Sequence, residues 1–431
     1  MNQNTTVEDR PIGPYTKRTT CRFCGGGHLT EVLDLGLVPL AGGFLKEAGF
    51  REEKFFPLTL DFCSDCYLVQ VSNVVSADTL FRENYFFFSS AIGTLIEHFT
   101  EYAKEVHNDY LKGLQNPSIL EIGCNDGVLL KPFSDLGVTT IGVDPATNVV
   151  KTINIPNASI YNDYFTEKLA VEIRAKHGPV DAITANFSFA HIDDMIDVVK
   201  GIKHLLKEEG VFVFEIYYLG TMLDEMNYDM IYHEHMSYYS LLTLQKFFGS
   251  FDMEVFDVKY IPGVRSGSVR FFARNKGRRH EKVTKAVEEM LAYELKSGFD
   301  KADIYKAYSA RVIQTRNQII NLLEKLQAEG KKVIGYGASG RGTIIMNYCG
   351  IDHKYVDYVV DDAPAKQGYF TPGTHAEIRS WDFVEKNGYP DYIVLFAWSF
   401  TEEVLKKRKN FIDAGGKFIL PLPAVSIYPA E

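Results

Sequence analysis

The sequence has little of what marks membrane, secreted and nucleic-acid-binding proteins. No uninterrupted apolar run approaches the roughly 20 residues that cross a bilayer, and the polar N-terminus lacks the apolar core of a signal peptide. Only six of the 431 residues are cysteine, which excludes a disulfide scaffold. Positive charge is also short, because 46 Lys and Arg stand against 56 Asp and Glu. The net charge of −10 opposes general binding of nucleic acid or anionic membrane.

These absences predict a cytoplasmic protein without nucleic-acid or membrane partners, and no obligate protein partner is evident. What is present is ordinary for a globular chain: hydrophobic residues make up 46% of the sequence and charged residues 24%. At about 100–200 residues per domain, the length predicts two to four domains.

Four of the six cysteines lie in the first 66 residues as two C-x-x-C pairs, Cys21 with Cys24 and Cys63 with Cys66. Each such turn directs two thiolates at one point, which suits tetrahedral Zn²⁺. Two disulfides would require a secreted protein, and a redox site would need only one pair in a thioredoxin-like context. His28 follows the first pair, but four thiolates already close a structural site. We therefore expect the metal to fold this module and to do no chemistry.

A strand, a turn of small residues and the start of a helix follow one another in SILEIGCNDGVLLKPF. Small residues at such a turn let a nucleoside approach the backbone. The next strand, TTIGVD, ends in Asp144, and an acid at this position of a βαβ unit meets ribose hydroxyls. The cofactor-binding residues predicted here are Glu121, Gly123, Asn125, Asp126, Gly127, Asp144 and Pro145.

Two polar residues continue this series at the ends of later strands. Asp163 stands where an acid meets the adenine amino group, and Asn186 ends the strand in VDAITANFSFAHIDD. The turn lacks G-x-G-x-x-G, which disfavours a pyrophosphate and suits S-adenosylmethionine, a sulfonium nucleoside without phosphates. The motif order therefore predicts an S-adenosylmethionine-dependent methyltransferase domain, with a plain flavodoxin-like turn as the alternative.

The segment MIYHEHMSYYS concentrates reactive side chains, among them Tyr232, His233, Glu234 and His235. It is not a metalloprotease H-E-x-x-H motif: on a helix the two histidines point apart, and on a strand they share a face with Glu234 opposite. Because the segment follows the last strand of the cofactor domain, it lies where an acceptor substrate would bind. A polar, hydrogen-bonded surface turn is the plainer alternative. His191, in the loop after the preceding strand, is expected to face the same crevice.

The last hundred residues contain a second nucleotide-type motif. Residues 281–330 predict linking helices, and KKVIGYGASGRG then gives a strand and a G-x-G-x-x-G turn, with Asp361 after the next strand. Too few residues follow for a complete dehydrogenase, so we expect half a Rossmann sheet that holds a nucleoside diphosphate at the helix start. A docking domain that binds nothing is the alternative. The substrate-binding residues predicted here are Gly337, Ala338, Ser339, Arg341, Asp361, Lys366 and Thr374, while Trp398 is equally compatible with base stacking and with the core.

Taken together, the motifs resemble the nucleotide-sugar C-methyltransferase family over nearly the whole chain, in particular the C-3′ methyltransferase of tetronitrose biosynthesis. The resemblance rests on both C-x-x-C pairs and on FRENYFFFSS, LEIGCNDG, AHIDD, IYHEHMSYYS, GSVR, GYGASGRG, QGYFTPGTH and FAWSF. It implies an α/β protein with a small zinc-binding module at 1–75 and a Rossmann-like methyltransferase domain at 76–275. A helical linker and a Rossmann-like domain at 276–431 would help to bind the nucleotide sugar.

The resemblance also implies the active-site residues: Tyr85, His191, Tyr232, Glu234 and His235. The chain departs from the family pattern in having Phe87 where a second Tyr is frequent, and in having Arg341 where the family often has Lys. These differences leave the nucleotide open between deoxythymidine and guanosine diphosphate.

The expected substrate is a nucleoside-diphosphate 4-keto-6-deoxyhexose, methylated at C-3′ through an enolate. We expect His235 to remove the C-3′ proton, because a neutral imidazole suits this task near pH 7. Tyr232, or alternatively His191, would stabilise the oxyanion, and Glu234 would orient His235 or bind a sugar hydroxyl. The competing hypotheses are an NAD-dependent sugar-nucleotide oxidoreductase, a zinc-containing nucleic-acid methyltransferase and a zinc scaffold without activity.

Overall fold

A computed structural model describes residues 10–82, 87–262, 267–278 and 282–430. Tyr85, one of the expected active-site residues, lies outside the described residues. Within the described part of the chain, no helix is both long and apolar enough to cross a membrane.

The N-terminal module is an antiparallel sheet built on two long strands. Its strands are β2 (Leu29–Pro39), β3 (Phe55–Cys63) and β4 (Val69–Val71), and the short strands β1 (Thr16–Lys17) and β5 (Asn73–Val74) pair separately. β2, β3 and β4 pair in that order, and a short strand from the next domain, β11 (Ser237–Tyr238), pairs with the free edge of β4. The segment that carries His235 is thereby joined to the N-terminal module.

The central domain alternates strands and helices. Its strands are β6 (Ser118–Ile122), β7 (Thr139–Val143), β8 (Ser159–Tyr161), β9 (Val180–Asn186), β10 (Leu206–Tyr217), β12 (Met253–Ile261) and β13 (Ser268–Asn275). Its helices are α1 (Gly93–Val106), α2 (Leu130–Asp135), α3 (Thr147–Val150), α4 (Glu167–His177), α5 (Met195–Leu205), α6 (Leu219–Asp224) and α7 (Leu241–Gly249).

The seven strands form one sheet in the order β12-β13-β10-β9-β6-β7-β8. β6 to β10 run parallel, while β13 is antiparallel to both of its neighbours. Because β6 lies between β7 and β9, the strand order reverses there, and ligands of open α/β sheets bind at the carboxyl ends of the strands at such a point. All seven residues of β9 are buried, as expected of a strand covered on both faces.

The C-terminal part begins with two linking helices, as the sequence predicts, and continues into a second, mostly parallel sheet ordered β16-β15-β14-β17-β18-β19. Its strands are β14 (Val333–Tyr336), β15 (Val359–Val360), β16 (Ile378–Arg379), β17 (Tyr392–Leu395), β18 (Lys417–Leu420) and β19 (Ser426–Tyr428). The helices are α8 (Lys285–Ser297), α9 (Ala302–Ala328), α10 (Gly340–Cys349), α11 (Trp381–Asn387), α12 (Thr401–Lys407) and α13 (Lys409–Asp413). The predicted fold class, α/β with a zinc-binding module and two Rossmann-like sheets, is confirmed.

Candidate active site

The four cysteines of the two C-x-x-C pairs converge on one point. All four sulfur atoms lie within 4.8 Å of one another, with Cys21 Sγ 3.5 Å from Cys66 Sγ and Cys24 Sγ 3.6 Å from Cys63 Sγ. Tetrahedral zinc with bonds of about 2.3 Å requires sulfur spacings close to these. His28 turns its ring outward to Asp65, at 2.9 Å, and contributes no fifth ligand. The donor set therefore fits structural Zn²⁺.

The turn after β6 is shaped by two close approaches. Gly123 has φ +74°, and a Cβ there would lie 2.4 Å from Cβ of Ser188, so only glycine fits. The Asp144 carboxylate accepts hydrogen bonds from the backbone N–H groups of Asn125 (2.9 Å) and Ala146 (2.8 Å). The acid at the tip of β7 thus holds the turn at the tip of β6, and the two predicted cofactor elements form one unit.

The side chains of Asn125 and Asp126 engage a segment that the sequence did not connect with this turn. Asn125 accepts from the Ser89 N–H and donates to the Phe87 carbonyl, while Asp126 accepts from the N–H and hydroxyl groups of Ser90. Residues 87–90 are therefore fastened onto the turn.

Glu121 and Asn186 place unsatisfied polar atoms at the carboxyl edge of the sheet. Oε2 of Glu121 and both side-chain polar atoms of Asn186 are buried without a hydrogen bond of normal geometry among the described residues. Burial raises the pKa of Glu121 to about 8, although the nearby Asn186 amide partly opposes this shift. Orphaned buried polar groups are costly. S-adenosylmethionine carries ammonium and hydroxyl groups that would suit such unpaired atoms, so the residues present fit that cofactor.

The remaining predicted cofactor residues lie on the rim. Pro145 is half-buried between Asp144 and Ala146, and Asp163 is mostly exposed after β8, where its carboxylate lies 3.8 Å from a guanidinium nitrogen of Arg82. The predicted cofactor-binding residues thus lie along the carboxyl ends of β6, β7, β8 and β9.

A cleft of about 400 Å³, counted with the solvent at its mouth, opens beside this edge. Its lining residues are Phe187, Ala190, Ile216, Tyr217, Met230, His235, Ser237 and Tyr238. The His235 ring lies 4.0 Å from the Tyr232 ring and stacks on the His191 ring at 5.1 Å, between ring centroids. His235, the expected base, thus contacts both residues that are expected to stabilise the oxyanion.

His235 is held in one tautomer. Its Nδ1 lies 2.7 Å from the Met230 carbonyl oxygen, which can only accept, so Nδ1 carries a proton and a neutral ring has its lone pair on Nε2. Sequence reasoning offered Glu234 as the group that orients His235. In the structure the backbone carbonyl of Met230 orients His235 instead, and no pattern of side chains in the sequence predicts this contact.

Residues 232–235, the HEH turn, form a tight turn that is neither a helix nor a strand. A hydrogen bond from the His235 N–H to the Tyr232 carbonyl closes it. The turn sends its two histidines to different places. His233 donates from Nε2 to the Pro57 carbonyl in β3, and burial lowers its pKa to about 4, so it stays neutral and structural. Glu234 has its carboxylate near Gly42, and burial raises its pKa to about 7.

The C-terminal glycine turn is closely packed by the chain's own residues. A Cβ on Gly337 would lie 2.8 Å from the backbone nitrogen of Ala397, and one on Gly340 would lie 3.3 Å from Cβ of Ala41 in the N-terminal module. The Ser339 hydroxyl caps α10 by accepting from the Gly342 N–H. Glycine is therefore favoured at these two positions by close packing within the chain.

The predicted polar residues around this turn are engaged with one another. Lys366 donates to the Ala338 carbonyl at 2.7 Å and lies 3.3 Å from the Asp361 carboxylate. Thr374 is buried against Thr371, within its own loop. These contacts place Lys366 and Asp361 beside the turn and Thr374 inside its loop.

Arg341 forms an ion pair that sequence reasoning missed. Its Nε and Nη2 lie 2.9 and 3.0 Å from the two oxygens of Asp229, which is fully buried and also accepts from Trp398 Nε1 at 2.8 Å. Trp398 is therefore a core residue that carries a specific hydrogen bond. The pair fastens α10 to the residue before Met230, and so to the backbone that orients His235.

Comparison with known proteins gives matches to all three parts of the chain. Family models described as "Putative zinc binding domain", "Methyltransferase domain" and "C-methyltransferase C-terminal domain" match residues 21–81, 95–258 and 263–423. C-methyltransferase NovU of Streptomyces niveus is 33% identical over 413 residues, which cover 95% of this chain and 97% of the relative. The chain belongs to the C-methyltransferase family. This C-methyltransferase is thus an S-adenosylmethionine-dependent enzyme with a structural zinc module.

Several other methyltransferases are similar to shorter parts of the chain. A ubiquinone biosynthesis O-methyltransferase of Dinoroseobacter shibae is 28% identical over 126 residues, 26% of the C-methyltransferase and 47% of that relative. The CcbJ methyltransferase from Streptomyces caelestis has 14% identity and a TM-score of 0.32, and covers 42% of the C-methyltransferase and 90% of that chain. The corresponding figures for the glycopeptide N-methyltransferase MtfA with S-adenosyl-L-methionine are 12%, 0.33, 41% and 93%.

Proposed function

We propose that the C-methyltransferase methylates C-3′ of a nucleoside-diphosphate 4-keto-6-deoxyhexose through an enolate. The observation that carries this proposal is the fixed tautomer of His235 in the cleft beside the cofactor turn. Methyl transfer to carbon needs a carbon nucleophile, and a ketone provides one by losing the neighbouring proton. NovU, a C-methyltransferase by name, supports transfer to carbon.

In the proposed reaction, Nε2 of His235 takes the C-3′ proton while the Met230 carbonyl stabilises the resulting imidazolium through Nδ1–H. The electron pair of the C–H bond moves into the enolate, whose oxygen is stabilised by the Tyr232 hydroxyl or by His191. S-adenosylmethionine, when bound, supplies the electrophilic methyl group. The aromatic residues of the cleft exclude water from the enolate.

Nδ1 of His235 bonds to the Met230 carbonyl, so of the two roles expected of Glu234 the proposal keeps that of a ligand for a sugar hydroxyl. Its raised pKa lets it donate or accept a hydrogen bond near neutral pH. The nucleotide is proposed to lie at the carboxyl edge of the C-terminal sheet, near Lys366 and the first turn of α10. This placement rests on the glycine-rich turn and on the positive charge of Lys366 beside it.

The test is a product assay with S-adenosylmethionine and 4-keto-6-deoxyhexoses linked to deoxythymidine or guanosine diphosphate. We expect one of the two sugars to gain a single methyl group, located at C-3′ by NMR. Methylation on oxygen, or no transfer to either sugar, contradicts the proposal.

A further inference from the structure

Arg22 lies between the two cysteines of the first C-x-x-C pair, and its side chain is fully buried. A buried guanidinium is tolerated only where its charge and its hydrogen-bond donors are matched. The partners of Arg22 therefore tell what it holds together.

The guanidinium reaches three separate segments. Nε and Nη2 both lie 3.3 Å from Oδ1 of Asp193, Nη2 donates to the Val71 carbonyl at 2.9 Å, and Nη1 donates to the Met236 carbonyl. Val71 ends β4 of the zinc-binding module. Asp193 and Met236 belong to the two loops that carry the active-site histidines.

Two of these partners lie close to the active-site histidines along the chain. Asp193 follows His191 by two residues, and Met236 directly follows His235. The same two loops are joined by a bond from the Met236 N–H to the Ala190 carbonyl at 2.8 Å. Arg22 thus holds both loops in the arrangement that stacks the His191 ring on the His235 ring.

We propose that Arg22 is a positioning residue that couples the zinc-binding module to the His191–His235 pair. The inference rests on the proposed role of His235 as the base. It gives the zinc module a task beyond its own stability, because the metal fixes the turn on which Arg22 is mounted. Lysine cannot replace it, since a single ammonium lacks the planar fork that serves an acid and two carbonyls at once.

The test compares Arg22→Lys with Arg18→Lys in the zinc-loaded full chain. Arg18 is a matched control, because it pairs with the same Asp193 at 2.9 Å but is partly exposed, and no bond to Met236 is among its contacts. The measured rate is exchange of the C-3′ hydrogen of dTDP-4-keto-6-deoxyglucose, or of the guanosine-linked sugar if that is the substrate, in deuterated water. We expect Arg22→Lys to keep its zinc and its affinity for S-adenosylhomocysteine but to lose about 10²-fold in exchange rate. Arg18→Lys should stay within about threefold of the wild type, since a positioning effect needs the shared contact.

A second readout is independent of activity. In protein labelled with ¹⁵N-histidine, with signals assigned through His191→Gln and His235→Gln, Arg22→Lys should shift the resonances of both histidines and Arg18→Lys should leave that of His235 in place. Unchanged resonances and exchange in Arg22→Lys overturn the inference, as does a loss of exchange that occurs only together with loss of zinc. If His235→Asn exchanges at the wild-type rate, the base assignment fails, while the resonances still report the coupling.

Should Arg22→Lys fail to fold, Asp193→Asn removes one arm of the same network from a partly exposed position. We expect it to retain zinc, to shift the His191 resonance and to slow exchange. An unchanged His191 resonance with an unchanged exchange rate overturns the inference.

Discussion

Glu121 shows how a single buried acid couples this fold to pH. Because burial raises its pKa to about 8, the folded protein binds more protons at this site than the unfolded chain between about pH 5 and pH 8. The contribution of Glu121 to the free energy of unfolding of the ligand-free protein therefore falls as the pH rises. Glu121→Gln should raise that free energy by about 1–3 kcal/mol at pH 8 and weaken cofactor binding.

Urea unfolding at pH 6 and pH 8 checks this expectation. Glu172→Gln, on an exposed face of α4, serves as the control and should leave the pH dependence unchanged. A Glu121→Gln protein with the pH dependence of the wild type would show that Glu121 is not the buried acid responsible.

Glu234 and His235 both bear on the pH profile of the reaction. A base must be unprotonated to take a proton, so kcat/KM should rise with pH as His235 loses its proton. Glu234 can also produce such a limb, because burial raises the pKa of its carboxyl group to about 7. If His235 is the base, the rising limb should persist in Glu234→Gln with a lower plateau. A flat profile in Glu234→Gln would assign the limb to Glu234 instead.

At the scale of elements, the zinc-binding sheet and the HEH turn form one unit through β4 and β11. Cys63→Ser should therefore lower zinc content, stability and catalysis together, because the metal holds the sheet that carries the turn. Metal analysis and thermal unfolding of freshly purified, reduced protein test this. Cys349→Ser, outside the four-cysteine cluster, is the control for the loss of a buried thiol. Retention of full zinc and activity by Cys63→Ser would contradict the assignment.

The Arg341–Asp229 pair makes a second link between elements, from α10 to the residue before Met230. Arg341→Met leaves a buried carboxylate without its cation and should lower the free energy of unfolding by about 3–5 kcal/mol. The double variant Asp229→Asn with Arg341→Met should lose less than the sum of the single changes, since neither charge is then left alone. Urea unfolding of the four proteins measures the coupling, and strict additivity would show that the pair is not coupled.

At the scale of the whole molecule, the fold class and the zinc-binding module could be predicted because short, local spacings signal them. The two C-x-x-C turns, the glycine turn after β6 and the acid at the tip of β7 are local patterns, and parallel strands place their ends at one edge. The fold class followed from them. The sequence alone does not tell which of His233 and His235 faces the cleft, because residues on a tight turn follow neither helix nor strand periodicity.

Other features depend on contacts that no local pattern encodes. Arg341 reads as a phosphate ligand from its glycine-rich turn, yet its partner Asp229 lies 112 residues away. No sequence pattern singles out Arg22, which stands between two metal ligands, yet its guanidinium donates to the carbonyl of Met236, 214 residues later. Both arginines find their acids only once the three parts of the chain are packed together.

The measurement that tests the central claim most directly is enolisation uncoupled from methyl transfer. Wild-type C-methyltransferase and His235→Asn are incubated with the nucleotide sugar and S-adenosylhomocysteine in deuterated water, and loss of the C-3′ proton signal is followed by NMR. The account predicts exchange by the wild type and a loss of at least about 10²-fold in His235→Asn, with both ligands still bound by calorimetry. Exchange at the wild-type rate in His235→Asn would contradict it.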